Sequence, residues 1–338
     1  MKCKIEHLRV SSGAFDAKGI PVPQLVSEMA AKPLLLPKID LSSSDRAYTA
    51  STIRQVCLDH GFFYLVNHGV DSEFIKSVFD ESRKFFSLPL EEKMKIARDG
   101  EHRGYTALYD ETLDTSVKSE GDLKESFYVG PPKGIAPQNI QNQWPPNEFL
   151  PSWRATMDTY YEKLQILAQS LLSLIALALN LDEDFFEKVG AYPPSAFLRL
   201  IHYPGDLCSS ETYGASAHSD YGMVTLLVTD GVPGLQICRE KDKRPRTWED
   251  VPHVNGAFIV NIGDLMERWT NCLFRSTLHR VMIVGQERYS VAFFVEPKPD
   301  CLVKCLENCC SETSPPRFPP IRAGDYLQER LRVTYAKE

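Results

Sequence analysis

Val224-Thr225-Leu226-Leu227-Val228-Thr229 is preceded by His218-Ser219-Asp220 and closed by Asp230-Gly231. All six residues of the run are β-branched or leucine, and the turn pair that follows stops them, so the stretch reads as one short strand. Similar runs lie on either side, at Phe197–Tyr203, Leu235–Cys238, Ala257–Ile262, Leu278–Val284 and Tyr289–Val295. Pro204-Gly205, Pro233-Gly234 and Asn255-Gly256 punctuate them as turns. A rhythm of short strands and turns predicts a double-sheet jelly roll whose interior can hold a ligand.

Upstream the periodicity changes. Pro33–Leu41 reads as a short buried strand between prolines, and Ser42 to Asp45 offer caps for a helix running to about Asp59. Phe62–Val66 is a β-type run, and helical patterns cover Ser72–Phe86, Glu91–Arg98 and Ser152–Leu181. In the longest, Leu164, Leu167, Leu171, Leu174, Ile175 and Ala178 form a helical stripe, the mark of core packing. A short helix follows from Asp182 to Val189, and another spans Arg322–Val333 with Asp325, Glu329 and Arg330 exposed. Residues 1–32 show no periodicity, and 99–150 are loop-rich and polar. The fold class expected is therefore α+β. It has a double-stranded β-helix (jelly-roll) core, buttressing helices and a helical N-terminal part. Residues 1–150 form the helical and loop region and 151–338 the core with its flanking helices, as one integrated unit.

The chemistry sits in the strands. In an extended segment side chains alternate, so His218 and Asp220 point the same way and Ser219 points away. His279 lies 61 positions beyond His218 and must arrive from another strand. Two imidazoles and one carboxylate can bind one face of an octahedral iron(II), leaving the opposite face open. Arg288, Ser290, Ala292 and Phe294 share one face of their strand, and an arginine fork beside a hydroxyl suits a small carboxylate. His60 and His68 lack a carboxylate two residues on and read as capping or packing histidines. Cys301, Cys305, Cys309 and Cys310 contain no CxxC pair, which argues against a structural zinc site.

His218-Ser219-Asp220, then Ser276-Thr277-Leu278-His279-Arg280-Val281, then Arg288-Tyr289-Ser290, with Tyr203 in His202-Tyr203-Pro204 upstream, resembles the soluble plant-type 2-oxoglutarate/Fe(II)-dependent dioxygenases, relatives of isopenicillin N synthase. The resemblance runs from about Pro37 to Tyr335 and includes the stretches DHGFFYLVNHGV and VPGLQI. It implies one catalytic unit in which His218, Asp220 and His279 hold Fe(II). Tyr203, Arg288 and Ser290 would bind 2-oxoglutarate, with ascorbate as reductant. Phe294, Tyr105 and Phe127 would line the pocket of a small specialised metabolite or hormone. That substrate would be hydroxylated, oxidatively demethylated or desaturated with O2, as 2-oxoglutarate goes to succinate and CO2. An oxidase of the same fold that does not use 2-oxoglutarate, and a non-catalytic binding or sensory relative, are the alternatives. Two departures stand out. Ile201-His202 replaces a frequent Asn-Tyr, and Asn271-Cys272 a frequent Asn-Gly.

Composition sets the remaining bounds. The net charge of −7, with 38 basic and 45 acidic residues and no dense Lys/Arg cluster, gives no footprint for nucleic acid. No stretch of about 20 apolar residues is present to span a membrane, and MKCKIEHLRVSSG lacks the apolar centre of a signal peptide. Nine scattered cysteines with no secretion signal fit reduced thiols in the cytoplasm. A monomer acting on a small molecule is the expectation.

Overall fold

The computed structural model describes residues 34–116, 120–131, 141–205 and 213–335, so the segment expected at 1–32 lies outside it. The chain enters through β1 (Lys38–Asp40), which pairs in parallel with β2 (Phe62–Val66). Between them runs α1 (Arg46–Asp59), started by Asp45, whose carboxylate accepts from Tyr48 N at 2.9 Å. Helix α2 (Ser72–Phe86) is capped in the same way by Asp71. Glu73 in its first turn and Arg83 and Lys84 in its last complement the helix dipole. Helix α3 (Leu90–Met94) is shorter than the expected Glu91–Arg98, because the chain turns at Lys95 toward β3 (Gly104–Thr106). Strand β4 (Glu125–Val129) pairs with β3, so the region read as loop adds two strands to a sheet. Every residue of β3 and β4 is buried, so the polar–apolar alternation that marks a half-exposed strand is missing.

Helix α4 (Trp153–Ala178) starts after Ser152, which supplies no side-chain cap. All six residues of its predicted stripe are buried. The face rests on the large sheet, with the Tyr161 hydroxyl donating to Ala196 O at 2.8 Å and its ring 5.1 Å from that of Phe293. After the short α5 (Phe185–Lys188) come β5 (Ser195–Tyr203), β6 (Tyr213–His218), β7 (Val224–Thr229), β8 (Leu235–Cys238), β9 (Glu249–Asp250) and β10 (Phe258–Ile262). Helix α6 (Asp264–Trp269), β11 (Leu278–Met282), β12 (Arg288–Glu296) and α7 (Ala323–Thr334) complete the elements that matter for the site. Strand β6 and helix α6 went unread. The first is small and polar in sequence, and the second has six residues, too few to show a period.

The strands form a large sheet in the order β1-β2-β10-β7-β12-β5-β4-β3 and a small one in the order β6-β11-β8-β9. Two apolar cores follow from this. One face of the large sheet packs under α1, α2 and α4, with Phe63, Leu200, Val260 and Phe293 pointing into it. The opposite face sends Phe62, Tyr64, Ile201, Tyr203 and Ile259 toward Ala215, Leu235, Ile237 and Val281 of the small sheet. That second interior is narrower and is the one that opens into a chamber. Helix α7 folds back beside it, tied by Tyr326 to Asp264 (2.8 Å) and by Thr334 to the Tyr221 hydroxyl (2.7 Å). Arg330, expected to be exposed, is half-buried because its guanidinium lies 4.8 Å over the Tyr221 ring.

The first core claims two residues expected at the pocket. Phe127 is fully buried between Phe85 and Trp153, with ring centroids 4.8 and 5.0 Å away. Tyr105 packs against Phe85, and its hydroxyl donates to Glu125, a buried carboxylate that also receives Lys93 Nζ at 2.7 Å. Burial alone would raise the Glu125 carboxyl, but the bonds from His202, Lys93 and Tyr105 outweigh it and hold it low. Both are core residues on the helix side of the large sheet. Tyr105→Phe therefore removes a hydrogen bond to a buried charge and is expected to cost about 1.5–3 kcal/mol of stability. Urea denaturation checks this. Ligand binding in the chamber should not change, and a shift in it would return Tyr105 to the site.

Candidate active site

The pairing of β6 with β11 brings the ligand candidates together. Antiparallel register sets His279 directly opposite His218, and the ladder is irregular just beyond, between His279 and Val281. The two rings lie 4.2 Å apart. Each imidazole turns Nδ1 to a backbone carbonyl two residues earlier, His218 to Ser216 O at 2.7 Å and His279 to Thr277 O at 3.1 Å. Donation from Nδ1–H leaves both Nε2 lone pairs facing inward. They converge on Asp220 Oδ1, at 3.7 Å from His218 and 3.6 Å from His279. The other carboxylate oxygen, Oδ2, accepts from Thr225 Oγ1 at 2.6 Å and Asn261 Nδ2 at 2.7 Å. Two nitrogens and one oxygen are thus presented to a single point, and among the described residues no other group of His, Cys, Asp and Glu does this.

The electrostatics agree with the donor set. Burial, and then the neighbouring His279, hold His218 down at about 3, so its ring is neutral and its lone pair available. Burial would raise Asp220, yet the two imidazoles and the Thr225 and Asn261 bonds outweigh it and keep the carboxyl below its usual value. An N2O1 donor set of this kind fits a divalent transition metal.

The triad opens onto two adjoining hollows. The inner one is walled by Tyr203, Arg288, Ser290, Ala292 and Phe294 along with Ile201. The phase of β12 thus puts the predicted Arg288 face on the chamber side. Arg288 is only 2% exposed, Nε donates to Val232 O at 3.2 Å, and the guanidinium lies 5.0 Å from the Tyr203 ring. Its Nη1 is buried and has no hydrogen-bond partner among the described residues. The outer hollow shares Phe294, Arg199, His218 and Asp220 and adds Tyr221, Glu296 and, from α7, Leu327 and Leu331. On its wall Glu111 takes Lys124 and Arg199 at 2.7 Å each. Burial opposes ionisation of Glu111, but those two cations prevail and hold it well below the carboxylate range.

The remaining candidates fall into place. His68 accepts from Val70 N through Nδ1 (3.2 Å) and bonds Gly256 O through Nε2 (2.9 Å), and His60 lies outside the triad, so both are structural. The seven described cysteines are free thiols. Ile201 lines the inner hollow as an apolar wall, whereas His202 faces away and bridges Glu125 (2.7 Å) and Glu287 (2.8 Å). Cys272, in place of a glycine, has φ of +67°, a left-handed conformation that costs roughly 1–2 kcal/mol outside glycine. Sequence reasoning missed Thr225, Asn261, Arg199, Tyr221 and Glu296. Two of these, Arg199 and Asn261, are polar residues set inside apolar strands, and that interruption was the available signal.

A jelly roll with a His2Asp group and a buried arginine lining one hollow has the donor set of a mononuclear non-haem iron site. Residues 36–147 match the family described as non-haem dioxygenase in morphine synthesis N-terminal, and residues 194–297 match the 2OG-Fe(II) oxygenase superfamily. Over 304 residues the chain is 39% identical to kihadalactone A synthase of Citrus sinensis, covering 87% of this chain and 90% of that protein. Among solved structures it resembles Neurospora crassa T7H in complex with alpha-KG and thymine (TM-score 0.78, 28% identity, 89% and 97% covered). It also resembles JOX2 in complex with 2OG, Fe and JA (TM-score 0.74, 31% identity, 88% and 84% covered). The chain belongs to the 2OG-Fe(II) oxygenase superfamily and is an oxidoreductase using Fe(II) and 2-oxoglutarate. The donor set and the partnerless Arg288 nitrogen fit both.

Asn261→Leu leaves all three candidate ligands in place but removes one of the two bonds that orient Asp220. Metal affinity is expected to fall on the order of 10- to 100-fold. Anaerobic Fe(II) titration checks this, with circular dichroism confirming the fold.

Proposed function

We propose that His218, Asp220 and His279 bind Fe(II), that Arg288, Ser290 and Tyr203 bind 2-oxoglutarate, and that Phe294 flanks the substrate. The reaction is oxidation of a small specialised metabolite, by hydroxylation or by the related demethylation or desaturation. Arg288 carries this reading. A guanidinium so deeply buried, lining the same hollow as the metal-ligand candidates and with Nη1 unpaired among the described residues, requires an anion to offset its desolvation. The distal carboxylate of 2-oxoglutarate supplies one, with the Ser290 hydroxyl beside it. When bound, iron would supply the oxidising chemistry with O2, one oxygen atom going into the succinate formed with CO2 from 2-oxoglutarate and the other to the substrate oxidation. The chain's own residues do the rest. The Nδ1 bonds of the two histidines fix their tautomers, Thr225 and Asn261 aim Asp220, and the apolar walls exclude water. The likeness to kihadalactone A synthase supports a specialised metabolite as substrate. Free thiols among the described cysteines, and no described helix long and apolar enough to cross a membrane, are compatible with a cytoplasmic monomer.

Arg288→Gln tests the cosubstrate assignment. Loss of a charge-assisted bond worth roughly 1.5–3 kcal/mol should weaken 2-oxoglutarate by on the order of ten- to a hundred-fold. Arg288→Lys should fall between, since it keeps the charge and loses the fork, and Ser290→Ala should cost less. Iron affinity should not move. Isothermal titration of 2-oxoglutarate and succinate yield per product are the measurements. Unchanged affinity, or product without succinate, points instead to an oxidase that does not use 2-oxoglutarate.

A further inference from the structure

The outer hollow holds a carboxylate that nothing above employs. Glu296, the last residue of β12, is 5% exposed, and among the described residues its Oε2 is buried without a hydrogen-bond partner. The carboxyl group lies flat over Gly222. A Cβ on that glycine would meet Glu296 Cδ and both carboxylate oxygens at 2.6 Å, so the bare backbone makes the room. The other charged side chains around this hollow have opposite charges or hydrogen bonds within the protein, although Arg199 Nε, like Glu296 Oε2, is buried without a hydrogen-bond partner among the described residues. Arg199 and Glu111 pair at 2.7 Å, and Asp220 faces two imidazoles and accepts from Thr225 and Asn261. The rest of the wall near Glu296 is apolar or aromatic, with Phe294, Tyr221, Leu327 and Leu331. A buried acid without a partner costs several kcal/mol, and a cation brought by a ligand offsets that cost while a second anion adds to it.

We infer that Glu296 anchors the substrate, and that the substrate is an apolar ring compound carrying a protonated amine. The nitrogen meets the Glu296 carboxylate while the ring lies along Phe294, which sits two residues back on the same face of β12 and so nearer the triad. This deepens the proposed function, because it assumes that the outer hollow is where that oxygenase takes its substrate.

The test uses four probes on one ring: 2-phenylethylamine, 2-phenylethanol, ethylbenzene and phenylacetate. Equilibrium dialysis under argon measures each against the full chain loaded with Fe(II) and 2-oxoglutarate. The amine should bind at least tenfold more tightly than the other three. Glu296→Gln, close to isosteric, should abolish that preference and leave ethylbenzene unchanged. Gly222→Ala should weaken the amine by crowding the carboxylate. Phe294→Ala should weaken all four alike. Affinity for 2-oxoglutarate, read in the same samples, should be the same in the Glu296 variant and the wild type. If that affinity is absent from the wild type as well, the cosubstrate reading has failed and not this one. Four probes binding alike, no detectable binding of the amine, an alcohol that matches it, or an unchanged preference in Glu296→Gln would each overturn the assignment.

Discussion

The buried carboxylate of Asp220 is the constraint on which the two halves of the molecule meet. It lies two residues beyond the end of β6 in the small sheet, yet its Oδ2 is held by Thr225 of β7 and Asn261 of β10, both in the large sheet. A carboxylate taken out of water must have its lone pairs met, or it protonates or the structure opens. Meeting them here draws the end of one sheet onto the other. The same act turns Oδ1 toward the two imidazoles. The turn that carries Asp220 is fixed further by Asp264 N donating to Asp220 O at 2.8 Å and Gly263 N to Met223 O at 2.9 Å. Packing of the start of α6 against this turn leaves no space for a side chain at 263, where a Cβ would fall 2.3 Å from Gly222 O.

How much of this could be read from the residues depends on what each strand faces. Phe62–Val66, Val224–Thr229 and Leu235–Cys238 were placed to the residue, because turn residues bound each apolar run. The α4 stripe was equally plain. The triad was legible because two of the ligand candidates sit two residues apart and the third was placed by its motif. Thr225 and Asn261 were not, since what they do depends on a register between sheets that no local pattern encodes. Strands β3 and β4 escaped for the opposite reason. Buried on both faces, they show no alternation, and Glu125, which makes the segment look polar and solvated, is paired inside with Lys93 of α3 at 2.7 Å.

Tyr105 and Phe127 show the limit of reading aromatics. The protein has two apolar interiors on opposite faces of one sheet, and hydrophobicity does not say which of them a ring enters. In β5 the alternation Leu200, Ile201, His202, Tyr203 assigns side chains to helix core, chamber, outer rim and chamber in turn. Strand β4 pairs with β5 through Phe127 opposite Leu200, and paired residues share a face. Leu200 belongs to the helix core, so Phe127 does too. Once the register is known the assignment is forced, and without it either face was open.

Strand β12 carries the site along its length. Arg288, Ser290, Ala292, Phe294 and Glu296 share one face, and with about 3.3–3.4 Å of rise per residue the first and last are roughly 27 Å apart along the strand. The triad meets this face partway, for His218 and Asp220 border both hollows. A single β-strand therefore spaces a cation at one end from a carboxylate at the other, with the ligand candidates between. Because the strand is paired on both sides, with β5 and β7, the spacing cannot stretch without breaking two ladders. Substitutions at 294 and 296 can then change what is bound in the outer hollow while leaving the Arg288 end in register. With the roles proposed above, chemistry and selectivity would be separated by position along one rigid element, so that the selectivity end could vary without disturbing the oxidation.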